Sequence, residues 1–386
     1  MQASSAIPSN NPIQTKLYGL DHLRAFAITF VILFHYGHVF QSPQWIIIIG
    51  KFGWTGVDLF FVLSGYLISS QLFLSIARGR KISFKEFFLK RFFRIIPAYM
   101  VVVAIYFCFP FLREREALAP LWKYLTFTQN LGLDLRTQGT FSHAWSLCIE
   151  EQFYLFLPLI LIALVQLKAI KKSFWLLAGL FLFGLIIRWS VYGIKVAPFL
   201  DDDGGWVNWY TWIYYPTYSR LDGLLTGVSI AALFQFKPLL KEKLTIYGNL
   251  FLLTGFIILT GAYFVCINEH SFAATVIGFP LVSIGYGAMV LGAVSPTSFL
   301  YKFKSAITTK IAGLSYAIYL THKIIIHLVQ EQLLQFSLAK DSNPTFLVSI
   351  IACLAGALLM NILIEKPFLK LRARILATIK RPVLAS

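Results

Sequence analysis

Charge is scarce in this chain of 386 residues: only 13% are Asp, Glu, Lys or Arg, where soluble domains carry about 25%. Acidic residues are scarcer still, 17 against 34 basic ones. That deficit excludes an ordinary soluble domain. Cysteine is rare too. Cys108, Cys148, Cys266 and Cys353 all lie in apolar runs, with no CxxC or metal-ligand spacing among them. They read as small packing residues, not as a disulfide framework or a zinc site. No segment repeats another, which counts against the paired halves common in transporters. Residues 1–16 are polar, with Pro8 and Pro12, and lack a basic leader and a cleavage site. They are expected to form a short disordered tail, not a signal peptide. Neither end holds a polar stretch long enough for a soluble catalytic domain, so any chemistry is expected in the apolar part.

What the chain has instead is apolar length. It is 58% hydrophobic with a mean hydropathy of +0.70, which predicts an all-α, polytopic integral membrane protein. Ten stretches approach the roughly 20 residues a span needs: 19–40, 54–76, 94–111, 143–166, 174–194, 216–236, 245–266, 272–294, 311–333 and 345–364. The expected organisation is a disordered cytoplasmic tail over 1–18, a transmembrane domain over 19–366 and a basic cytoplasmic tail over 367–386. Pro97 and Pro158 fall early in the third span and within the fourth and predict kinks.

The net charge of +17 marks topology, not nucleic-acid binding. Lys16, the Arg78–Arg94 stretch, Lys168 to Lys172, Lys237 to Lys243, Lys302 to Lys310 and the tail from Lys366 to Arg381 fall on one side. Lys51, Arg113, Arg115, Lys123, Arg136, Lys195 and Lys340 fall on the other. The basic side is cytoplasmic, which puts both termini inside, with an added attraction to anionic lipid. The other side carries Asp201 to Asp203 and the aromatic run from Trp206 to Tyr215. That run reads as an interfacial belt or as a sugar-stacking surface. The connection over 111–142 is expected to lie across the outer mouth of the bundle.

Polar groups at membrane depth are costly and mark function by default. In the first span Arg24 and His35 are eleven residues apart, which returns to within about 20° on a helix and separates them by about 16 Å along its axis. One stripe thus carries a guanidinium near one membrane face and an imidazole deep inside. The plain alternatives are that Arg24 snorkels to the headgroups and that His35 satisfies a neighbouring helix. Asp58 stands near the outer end of the second span, while Ser64 and Gly65 read as close-packing residues. Arg91 and Arg94, one turn apart, suit either positive-inside anchoring or a clamp for phosphates. His143, Ser146 and Glu150 fall on one helical stripe, with Glu151 beside them; adjacent carboxylates there resist a structural explanation. Arg220 and Asp222 could satisfy each other or Glu150. His322 is expected on the inner half of the ninth span, and His327 with Glu331 as an ordinary helix pair.

Together these pieces resemble the acyltransferase family 3 membrane proteins, which acylate carbohydrates of bacterial envelopes. The resemblance rests on Leu20-Asp21-x-Leu23-Arg24 followed by Phe34-His35, on Gly56-Val57-Asp58-Leu59-Phe60-Phe61-Val62-Leu63-Ser64-Gly65-Tyr66, and on Arg91-x-x-Arg94-x-x-Pro97. It continues through His143-x-Trp145-Ser146-Leu147-x-x-Glu150-Glu151-Gln152-Phe153-Tyr154, Ser315-Tyr316-x-x-Tyr319-Leu320-x-His322 and Glu365-Lys366-Pro367-Phe368. The order is kept and the motifs cover nearly the whole chain. His22 departs from the pattern, which usually has Gly there. Some members carry an added SGNH esterase-like domain; this chain is expected to be of the kind without one.

The resemblance implies a multi-pass protein of the bacterial inner membrane that takes an acyl group, acetyl by family frequency, from cytoplasmic acyl-CoA. The acceptor it implies is a sugar hydroxyl at or beyond the outer face, with polysaccharide-assembly proteins as possible partners. It also implies that His35 is essential and that Arg24, Arg91 and Arg94 are needed. On this reading the three arginines hold the donor's phosphates and His35 is a general base or a covalent acyl carrier. Glu150, in preference to Glu151, orients the imidazole. Asp58, His143, Ser146, Arg220 and His322 are expected to contact substrate. No metal is expected. The competing class is a proton-coupled transporter or exporter of a sugar or acyl metabolite, and a third is an assembly scaffold, which leaves the buried charges unexplained.

Overall fold

The computed structural model describes residues 17–169, 173–202 and 204–380. The expected tail over 1–16, Lys171, Lys172, Asp203 and residues 381–386 lie outside them. Among the described residues there are helices and no strand. The long ones are α1 (Tyr18–Val39), α2 (Gly56–Ala77), α3 (Phe84–Cys108), α4 (Trp145–Gln166), α5 (Ser173–Val191), α6 (Asp222–Phe236), α7 (Gly248–Val265), α8 (Phe279–Val294), α9 (Ala306–Gln335), α10 (Asn343–Met360) and α11 (Lys366–Lys380).

Each of the ten expected spans holds a helix, and among the described residues eight helical stretches are long and apolar enough to cross a membrane. A ninth arises if α6 and the helix Pro238–Thr245, bent by 110° at their junction, make one broken span. α1 stands apart because Asp21, Arg24, His35 and His38 dilute its apolar run. Two boundaries move for local reasons. α3 begins at Phe84, ten residues before the expected span, because Ser83 Oγ accepts from the backbone N–H of Glu86 at 3.3 Å. That is the first half of a capping box, and it draws Arg91 and Arg94 into a helix. The C-terminal region is likewise helical: α10, a π-helical stretch over Asn361–Glu365 and α11 form one run reaching Thr378.

The core is built from α1, α2, α6, α8 and α9. α5 and α7 turn Phe174, Trp175, Trp189, Phe256 and Phe264 outward, as helices facing lipid do. Small residues set the tightest contact. A Cβ on Gly65 of α2 would stand 2.2 Å from the carbonyl oxygen of Leu224, and one on Gly227 of α6 would stand 2.2 Å from that of Val62. With hydrogen at both places, α2 and α6 meet backbone to backbone.

That seam brings charges together. Arg220 Nη2 donates to both carboxylate oxygens of Asp58, each at 3.0 Å. Arg188 Nη1 and Nη2 donate to Asp222 Oδ2 and Oδ1 at 2.6 and 3.2 Å. All four side chains are buried. The expected Arg220–Asp222 or Arg220–Glu150 contact is therefore not made: Asp222 is taken by Arg188, and the seam places Asp58 against Arg220. Glu331 pairs with Lys340 and not with His327. His22 bridges α1 to the loop before α9, meeting the carbonyl oxygen of Phe303 and Thr308 Oγ1, each at 2.8 Å.

Removing one member of a buried pair strands the other, at a cost of about 3–5 kcal/mol, whereas an apolar replacement of both can be neutral. Asp58→Ala is therefore expected to lower the stability of the purified protein sharply, and Asp58→Leu with Arg220→Met to recover most of it. Thermal unfolding in detergent measures both; a stable Asp58→Ala single variant would remove the pair from the fold's support.

Candidate functional site

A cavity of about 380 Å³ enters the bundle between α1, α2, α3, α4, α9 and α11. Its lining includes four guanidinium groups, those of Arg24, Arg91, Arg94 and Arg372. No carboxylate forms an ion pair with any of them among the described residues. The one acid in the lining is Glu150, which accepts from Tyr154 Oη at 2.8 Å. Arg91 leans on the ring of Tyr154, 5.6 Å from its centroid, and its Nε is buried without a partner. Unpaired guanidinium groups are costly in a bundle unless an anion is to join them. Their planar forks suit phosphate.

The far wall of the cavity is a pair of hydroxyls. Tyr319 Oη donates to the backbone carbonyl of His143, and Ser146 Oγ donates to Tyr319 Oη at 2.7 Å. Beyond them lie three imidazoles. The rings of His35 and His322 stack at 5.0 Å, and His143 stands edge-on to both, at 5.7 and 4.9 Å. His322 is buried near the middle of α9, packed against His35 and His143.

The hydrogen bonds assign the tautomers. His322 Nδ1 lies 2.8 Å from the carbonyl oxygen of Tyr319 and 3.1 Å from that of Ile318. Carbonyls only accept, so Nδ1 carries the proton and Nε2 of the neutral ring carries a lone pair. His35 Nδ1 sits 2.8 Å from that Nε2 and must donate to it. This leaves Nε2 of His35 as a bare lone pair, held by a relay that ends on the backbone of α9. The arrangement can accept a proton or attack a carbonyl carbon.

The expected residues thus divide. Arg24, Arg91, Arg94, Glu150 and Ser146 line the cavity; His35, His143 and His322 pack against one another and do not line it. The hydrogen bond to His35 comes to His322 and not to Glu150, which stays with Tyr154 on the cavity side. Glu151 does not line the cavity. Asp58 and Arg220 are spent on each other. Both ring nitrogens of His143 are buried without a partner, so that ring is free for a guest. No group of three or more His, Cys, Asp or Glu side chains among the described residues is arranged to hold a metal ion.

Sequence reasoning passed over Lys323, Glu114 and Arg372. Lys323 follows His322 and is buried 4.0 Å from Glu114. Glu114 comes from the connection over 111–142 and accepts from the backbone N–H of Phe141 at 3.1 Å. Phe141 holds a left-handed backbone, φ 54°, and its ring stands edge-on to His143 at 5.1 Å, so the connection is pinned beside the histidines. A lysine in an apolar run was the available signal; Glu114 looked like one member of a solvated charge cluster.

A family model described as an acyltransferase domain matches residues 17–362. The O-acetyltransferase OatA of Staphylococcus aureus strain NCTC 8325 / PS 47 is 31% identical over 377 residues, covering 92% of this chain and 57% of its own length. OatA of Staphylococcus aureus strain COL matches with the same identity and coverage. The chain spans a little over half the length of these curated relatives. No solved structure matches it.

Proposed function

The chain belongs to the acyltransferase domain family, and from that premise we propose that it is a membrane-bound O-acyltransferase, an enzyme of class EC 2.3.1. In this reading it moves an acetyl group from acetyl-CoA, on the side rich in Lys and Arg, to a hydroxyl of a cell-envelope carbohydrate. Its home is then the bacterial cytoplasmic membrane, with both termini inside. The observation that carries the reading is the cavity with four unpaired arginines at one end and a hydroxyl wall backed by His35 at the other.

Arg24, Arg91 and Arg94 hold the phosphates of coenzyme A, and the thin pantetheine arm runs along the cavity towards Ser146 and Tyr319. Transfer requires that hydroxyl pair to part, because it stands between the cavity and the imidazoles. His35 Nε2 then takes the proton of the acceptor hydroxyl as its oxygen attacks the thioester carbonyl. The carbon–sulfur bond breaks, and the thiolate leaves with the proton from His35. His322 does the work first assigned to Glu150: it fixes the tautomer that makes Nε2 a base. A covalent acyl-imidazole on His35 would use the same lone pair, with the acyl group passed on in a second step. Glu150 and Tyr154 shape the donor end, and His143 offers its unpartnered nitrogens to the acceptor. The family and the OatA relatives support acyl transfer over a proton-coupled transporter, and binding of acetyl-CoA to the purified protein separates the two.

Two outcomes are expected. Arg91→Ala weakens acetyl-CoA binding roughly ten- to a hundredfold, the loss of a charge-assisted hydrogen bond worth about 1.5–3 kcal/mol, and Arg91→Lys restores only part of it because a point charge lacks the fork. Calorimetric titration with acetyl-CoA measures both; unchanged affinity in Arg91→Ala and Arg94→Ala would rule out the clamp.

The second concerns the imidazoles. His35→Asn inserts and binds acetyl-CoA but loses transfer by on the order of 10²-fold or more, since an amide does not titrate near neutral pH. His322→Gln keeps an acceptor near the Nε2 position, whereas His322→Ala removes it. The Ala variant is expected to lower kcat on the order of tenfold or more without changing donor KM, and the Gln variant to recover part of that loss. Sugar acetylation by membranes with matched protein levels is the assay, and a fully active His35→Asn would take the chemistry away from this residue.

A further inference from the structure

The fourth arginine of the cavity comes from a part of the chain that the family model does not reach. Arg372 lies ten residues past the end of the matched segment, Ile362, on α11. The sequence presents it as one more basic residue of a tail. The structure instead makes α11 a continuation of the last span, packed on α3, with Arg372 facing the same space as Arg24, Arg91 and Arg94. It forms no ion pair among the described residues. Glu365, the nearest acid before it on this helical run, accepts from Asn361.

Its level in the cavity can be read from one contact. The rings of Phe93 on α3 and Phe368 on α11 lie 6.4 Å apart; on the topology of the donor reading, α3 enters the bundle from the Lys- and Arg-rich side and α11 leaves it there, so the two run in opposite directions. At 1.5 Å per residue, Arg94 lies about 1.5 Å deeper than that contact, Arg91 about 3 Å nearer the mouth, and Arg372 about 6 Å nearer the mouth. Arg372 is the outer guanidinium of this face. Coenzyme A presents its phosphates in a matching order: the diphosphate follows the pantetheine arm, and the 3′-phosphate sits on the ribose at the far end. An acyl end seated at Ser146 and Tyr319 puts the diphosphate among the deeper arginines and the 3′-phosphate towards the mouth.

We propose that Arg372 binds the ribose 3′-phosphate of the donor, so that the C-terminal helix distinguishes coenzyme A from its dephosphorylated form. The inference rests on the donor reading above and adds to it a specificity that Arg91 and Arg94 do not supply.

The test is titration of the full chain in lipid nanodiscs with coenzyme A and with 3′-dephospho-coenzyme A. The unaltered protein is expected to favour coenzyme A about tenfold or more, the worth of one charge-assisted contact. Arg372→Ala is expected to bind both ligands alike, at the affinity the unaltered protein has for the dephosphorylated one; Arg372→Lys regains part of the preference. Arg91→Ala is expected to weaken both ligands while keeping their ratio. Arg372→Gln stands in if the Ala variant is not recovered folded. A preference that survives in Arg372→Ala, or an equal loss for both ligands, overturns the assignment and leaves the donor site standing. An unaltered protein that binds neither ligand overturns the donor reading itself.

Discussion

The cost of a bare charge inside a helix bundle governs this structure. A buried cation either meets a carboxylate or waits for an anion from outside. Arg188 meets Asp222, Arg220 meets Asp58, and Lys323 lies by Glu114. The pairs tie α5 to α6, α2 to the turn before α6, and α9 to the connection over 111–142. Among the described residues Arg24, Arg91, Arg94 and Arg372 form no such ion pair, and they gather on one cavity. The same energetic rule builds the frame in the first group and the binding end of the site in the second.

Packing makes the pairing possible. Gly65 and Gly227 let α2 and α6 approach until a side chain at either place would strike a carbonyl oxygen. At that separation Nη2 of Arg220 reaches both oxygens of Asp58. The histidines depend on packing in a different way. His322 is directed by carbonyls of its own helix, which no rotation of a neighbouring side chain can withdraw. A backbone-anchored imidazole is a rigid orienter for His35, and it needs no buried charge to do so.

Much of this was legible in the chain before folding. The apolar runs gave the helices, and the eleven-residue step from Arg24 to His35 gave two ends of one polar path. Arg91 and Arg94 were readable because their spacing matches a helix turn. What resisted reading was partner choice. Asp58 and Arg220 are 162 residues apart, and the sequence offered Arg220 only Asp222 or Glu150. Glu150 was expected to orient His35; that His322 makes the contact instead depends on how α9 lies against α1. Arg188 and Lys323 were single charges in apolar runs, the same signal that marked Asp58, but neither sits in an eye-catching motif. Arg372 was hidden by its neighbours, since a basic tail and a binding arm have the same composition.

The wall of Ser146 and Tyr319 has an electrical consequence. A cytoplasmic membrane stores energy as a potential, about 2.3 kcal/mol for each elementary charge carried across 100 mV. On the proposed reading, a continuous wet channel through this protein would discharge it. Here two hydroxyls, bonded to each other and to the peptide backbone, stand at the end of the cavity. On the proposed reading, an acetyl group is neutral and small while its carrier holds several negative charges. The wall then acts as insulation that sorts by charge, letting the cargo cross a distance of two side chains while the carrier and the ions around it stay on the side from which they came.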